Sequence, residues 1–265
     1  MLMINKTYYL FSLTFSPWPI ICSVCSMNLF ISFLLMMKYK ILLNFFWSSI
    51  LILMVSIWWC VNYSSEMNLK GMFSFDLNYS LKISFLLFIS SEVLFFFSLF
   101  WAYYHFYSVT MLETGLQWPP KLIKSMNPSS TPMLGTVILL YSGVIITISH
   151  NFLMKKANLV KFSLYLVMTI ILGVIFLKLQ LKEFNLSFFS MNDSSFGSSF
   201  FILTGFHGIH VLIGVMLLGI VMYRFFLLGA PSQSMFLSFE MAAWYWHFVD
   251  VVWLFLFYSL YYLSA

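Results

Sequence analysis

The sequence predicts an all-α membrane protein with seven transmembrane helices. Two observations carry this. The 265 residues are 62% hydrophobic and only 8% charged, whereas a soluble domain carries about 25% charged residues. Seven stretches are also long and apolar enough to cross a hydrocarbon core of about 30 Å, which takes about 20 residues as a helix. In lipid the backbone must satisfy its own polar groups, so a spanning segment is a helix or part of a closed barrel. Runs this long and this continuously apolar are helices. The net charge of +5 comes from basic residues scattered through short loops. There is no basic stripe for nucleic acid.

The first span is expected at about 20–37, after SPWPI, whose Trp18 suits a membrane interface; Lys38 and Lys40 close it. The second, 41–61, ends in Trp58 and Trp59, which fit an aromatic belt. The third, 81–107, contains FISSEVLFFFSLFWAYYH. The fourth, 133–153, follows the turn NPSSTP and stops at Lys155 and Lys156. The fifth is 159–179, and the sixth, 197–223, is stopped by Arg224, the only arginine. The seventh is 242–262, with Glu240 placed to cap its start. A single seven-helix domain over 1–265 follows, because no loop is large enough for another. Cys22 and Cys25 form a CxxC in an apolar segment with no second pair, and read as small side chains facing lipid or helices. Seven basic residues fall on the side of the N-terminus and six on the other, which fixes no orientation.

Glu92 is the most expensive residue in the chain. It lies ten residues after Lys82 and thirteen before His105, about 15 and 20 Å along a helix. That places it near mid-membrane, where a charged carboxylate costs about 2.5–3.5 kcal/mol on insertion scales. On its own helix face it has Phe85, Phe88, Phe96 and Leu99. A partner must come from another helix, a lipid or water. Two readings stay open: a neutral acid bonded to a neighbouring helix, or a carboxylate used in proton uptake or lipid binding.

The sixth span reads TGFHGIHVLIG. His207 and His210 are spaced i, i+3, and Thr204, Gly205 and Gly208 form a smooth patch for close helix approach. In the seventh, WYWHFVDVVWLF, His247 and Asp250 are again i, i+3 and can share a hydrogen bond. These four residues read as a structural polar cluster. The histidines do not form the paired pattern of a membrane di-haem protein, and there is no HExxH motif. No catalytic residue or metal site is expected. The seventh span has no lysine for a retinal Schiff base.

The runs SEVLFFFSLFWAYYH, WPP at 118–120, SSFFILTGFHGIHVLIG and AWYWHFVDVVWLFLFYSLYY, with SPWPI near the start, resemble the cytochrome c oxidase subunit III family in its mitochondrial form. The likeness runs from about residue 16 to 262. It implies two helices set apart from five by a cleft filled with phospholipids. It also implies a position beside the catalytic subunit I in the mitochondrial inner membrane, with the N-terminus in the matrix. Such a chain binds no cofactor besides phospholipid, since haem a and copper sit in partner subunits. It supports oxygen reduction and proton pumping without a redox centre. By the resemblance Glu92 is the family's intramembrane carboxylate, and Trp58, Trp59, Trp101, His105 and Arg224 are lipid-contacting candidates. Cys60, Met72 and Phe73 stand where the family has basic residues that hold head groups. A quinol oxidase subunit shares the expected fold. A free-standing proton or ion transporter using Glu92 is the rival from another class, though it would normally show inverted repeats and broken helices.

Overall fold

A computed structural model describes residues 16–69, 75–109, 117–120, 123, 125–155, 158–228 and 233–264. Among these there is no strand. Seven helices are each long and apolar enough to span a membrane. They are α1 Trp18–Tyr39, α2 Leu42–Leu69, α3 Phe75–Ser108, α4 Thr131–Lys155, α5 Leu159–Leu186, α6 Ser195–Leu228 and α7 Gln233–Leu256. A π-helical turn, Phe257–Tyr262, continues α7.

Local chemistry sets the helix ends. Pro19 sits in the first turn of α1, where no backbone N–H is required of it. Lys40 adopts φ 57° and donates its N–H to the Met36 carbonyl, which closes α1 two residues before α2 begins. Asn127 of NPSSTP accepts from the Ser129 N–H at 3.1 Å and shapes the turn into α4. Asn158 caps α5 by accepting from the Lys161 N–H at 3.3 Å. Between α5 and α6, Asp193 accepts from the Ser190 N–H at 2.6 Å. That backbone bond holds the Asp193 carboxyl below its ordinary range.

Several helices run beyond the expected bounds. α2 passes the Trp58–Trp59 pair to Leu69, α3 starts at Phe75, and α5 continues to Leu186. α6 passes Arg224, and α7 begins at Gln233, so Glu240 lies inside the helix and caps nothing. Charged residues end the apolar run, but they do not end the backbone hydrogen bonding. On α5, Lys178 and Lys182 are exposed while Gln180 and Glu183 face inward, so long cationic side chains reach outward from a continuing helix.

The chain separates into two compact units at 80/81. In the first, α1 packs on α2, and Ser32 and Ser48 share a buried hydrogen bond of 2.6 Å. In the second, α4–α7 and the body of α3 form a core around Trp246, Trp253, Tyr103 and Tyr245. Trp246 is its keystone. It is fully buried, donates Nε1 to Ser142 Oγ at 2.9 Å, and lies against Gly173 of α5 and Gly214 of α6. In the most apolar 18-residue stretch of each of α4–α7, 28–56% of the residues are buried.

Candidate functional site: a carboxylate–histidine pair inside the membrane

The third helix carries Glu92 towards α6, where His210 meets it. Glu92 Oε2 lies 2.9 Å from His210 Nε2, and the two side chains are 24% and 10% exposed. The other ring nitrogen, Nδ1, lies 2.7 Å from the carbonyl oxygen of Phe206. A carbonyl only accepts, so Nδ1 carries the hydrogen. Nε2 and Oε2 then share one proton, written either as a carboxylic acid on a neutral imidazole or as a carboxylate on an imidazolium. The pair has no net charge in either form. Aromatic rings surround it: Phe96 at 4.9 Å from the imidazole centroid, Tyr245 at 6.3 Å and Phe248 at 6.3 Å. The partner missing from Glu92's own helix face comes from a neighbouring helix.

The remaining polar residues separate rather than cluster. His207 is fully buried, one turn from His210, between Phe176 at 5.7 Å and Trp253 at 5.1 Å. Neither of its ring nitrogens has a hydrogen-bond partner among the described residues. His247 and Asp250 do not form the expected hydrogen bond. They face Gly143 of α4 side by side, and a Cβ there would lie 2.7 Å from Asp250 Oδ2 and 3.7 Å from His247 Nδ1. Residues spaced i, i+3 share a face, but short side chains directed at a neighbouring helix do not reach each other. Within TGFHG, Gly208 packs on Gln180, whereas Gly205 meets nothing within 4 Å and is no part of the close contact.

The lipid-contacting candidates occupy separate places. Trp58 and Trp59 are exposed on α2, with Trp58 edge-on to Trp18 at 6.2 Å. Trp101 and His105 line a groove of about 630 Å³ between α3 and α7, which begins at Val93 and ends at Ser108. Its walls are Phe96, Phe97, Phe100, Val251 and Phe255. Arg224 belongs to the other end of the same unit. Its guanidinium donates to Ser238 Oγ at 3.0 Å and Ser234 Oγ at 3.2 Å in the first turns of α7.

Three features escaped sequence reasoning. Tyr103 is wholly buried, donates to the Ser259 carbonyl at 2.8 Å and accepts from Trp118 Nε1 at 3.3 Å. It pins α3, the following loop and the end of α7 together. Lys82 and Glu240 pair at 2.5 Å. Glu183, buried within α5, lay beyond the expected end of the fifth span. Its i, i+3 spacing from Gln180 was the available signal.

The model of the family described as cytochrome c oxidase subunit III matches residues 7–265. The chain belongs to that family. Curated relatives named cytochrome c oxidase subunit 3 agree. The one from Rhipicephalus sanguineus is 42% identical over 93% of this chain and 95% of its own length. The one from Chondrus crispus is 39% identical over 93% and 90%. The one from Heterololigo bleekeri is 38% identical over 98% of each. Of the three positions where the resemblance led to an expectation of basic residues, Cys60 is exposed on α2. Met72 and Phe73 lie outside the described residues.

Proposed function

We propose that within its oxidoreductase complex this integral multi-pass chain is a non-catalytic support. It would pack beside subunit I in the mitochondrial inner membrane, N-terminus in the matrix, and bind phospholipid, with haem a and copper carried by the partner chains. The groove of α3 and α7 is the observation that carries the lipid part. Val93 to Ser108 is sixteen residues, about 22 Å of helix from first to last, enough for one leaflet of a core about 30 Å thick. The walls are apolar along that length, and Tyr104, His105 and Ser108 supply polar groups only at the helix end. An acyl chain below a head group matches that division. The Glu92–His210 pair supports the proton-handling part, because it holds one exchangeable proton at mid-membrane depth without net charge.

Native purification tests the assignment. The chain is expected to co-migrate with haem a and copper absorbance borne by other subunits, and a map of the complex should show an acyl chain beside Trp101 and Phe97. Purification as a stable lone protein with transport activity would overturn the support role. A protein helix filling the groove in that map would overturn the lipid role.

A further inference from the structure

A second polar site lies on α5, α6 and the π-helical end of α7, away from Glu92. Gln180 and Glu183 sit one turn apart on α5, 4% and 3% exposed. The amide nitrogen of Gln180 donates to the Thr204 carbonyl of α6 at 2.5 Å, and its oxygen lies against Gly208. His207, between Thr204 and Gly208 in sequence, contacts Trp253 of α7. Trp253 in turn lies 6.1 Å from the Tyr261 ring. The Tyr261 hydroxyl donates a hydrogen bond to the Glu183 carboxyl. The π turn brings this about: Leu263 N–H bonds to the Tyr258 carbonyl five residues back, and the wider turn directs Tyr261 inward, where it is 1% exposed.

These residues are short of hydrogen-bond partners. Gln180 Oε1, both His207 nitrogens and Trp253 Nε1 are buried with no hydrogen-bond partner among the described residues, and Glu183 and Tyr261 pair only with each other. Buried polar atoms in folded proteins are nearly always paired, with protein or with ordered water. The inventory is mixed. Trp253 Nε1 only donates, Gln180 Oε1 only accepts, and neutral His207 and the Tyr261 hydroxyl do both. Water, with two donors and two acceptors, is the small ligand that serves such a set.

We propose that α5, α6 and α7 enclose a site for a small cluster of bound water molecules, held by Glu183, Gln180, His207, Trp253 and Tyr261. It lies on the side of the membrane where α7 ends. Glu183 is three residues from the end of α5, about 5 Å along the axis, so the cluster stands close to the aqueous boundary. Phe189, Phe196 and Phe200 close over that end, with Phe200 5.6 Å from the Tyr261 ring. Asp250, also buried with an unpartnered oxygen, faces Gly143 and does not belong to this set. Through water, Glu183 can exchange a proton despite its burial.

The test is a map of the intact oxidase at a resolution that shows ordered water. Density is expected within hydrogen-bond distance of Glu183 Oε1, a ring nitrogen of His207 and the Tyr261 hydroxyl. Direct pairing of Gln180, His207 and Trp253 with one another, or a dry contact, would overturn the proposal. Infrared spectra of the complex in H2O and D2O give an independent reading. A carboxylic band that shifts in D2O should vanish in Glu183→Gln, and its persistence in that variant would count against the site. If Glu183→Gln does not assemble, the map of the unaltered complex decides alone.

Discussion

Gly173→Ala is expected to damage the five-helix unit far more than its single methyl implies. A Cβ at Gly173 would lie 2.6 Å from the Trp246 ring and 2.7 Å from Val215 Cγ2. Both distances are shorter than real Cβ contacts allow, so something must move. Trp246 cannot retreat towards α6, because its other edge already lies where a Cβ on Gly214 would be 2.9 Å away. Overpacking of this kind costs about 1–3 kcal/mol. If the indole tilts, its bond to Ser142 is lost as well, adding about 0.5–1.5 kcal/mol. The expected total is about 2–4 kcal/mol. Gly205→Ala is the internal control, since a Cβ there meets nothing within 4 Å, and it should leave stability unchanged or slightly raised. The assay is thermal dissociation of the chain from the purified oxidase for both variants. Equal midpoints for Gly173→Ala and Gly205→Ala would refute the packing argument.

Four other outcomes follow from the same geometry. Tyr103→Phe removes the bonds to the Ser259 carbonyl and from Trp118, and should cost about 1–3 kcal/mol, read as faster proteolysis between α3 and α4. Glu92→Gln should assemble normally and lose less than about 1 kcal/mol, because an amide N–H can donate to His210 Nε2; failure to assemble would mean the site needs the carboxyl. Glu92→Lys brings a cation into the span at about 2.5–3.5 kcal/mol, and oxidase yield should fall. Glu240→Gln breaks the pair with Lys82, which is partly exposed on both sides, and should lower stability by no more than about 1 kcal/mol; a larger loss would show that the pair is effectively buried.

Seven spans were legible because hydropathy alone separates lipid-crossing segments from loops. Glu92 was legible because an acid in an apolar run is conspicuous. Its partner was not. Glu92 and His210 are 118 residues apart, and only the rotation of α3 against α6 brings them together. The same limit explains His247 and Asp250, where helical spacing placed both on one face but said nothing of where each side chain ends. Glu183 was missed for a different reason. Lys178 and Lys182 interrupt the apolar run, so the fifth span was expected to finish before it. The helix continues because those lysines point outward while Gln180 and Glu183 point inward. Family resemblance supplied the expected neighbours of the chain but not the proposed water site, which rests on unpartnered atoms on three helices.

A double-mutant cycle on Glu92 and His210 tests the central pairing most directly. Glu92→Ala, His210→Ala and the double variant would be compared by thermal dissociation from the intact oxidase. Polar pairs between membrane helices couple by about 0.6–1.7 kcal/mol, and a favourable coupling in that range is expected here. Single-variant losses that simply add, with no coupling energy, would contradict a shared proton between the two side chains.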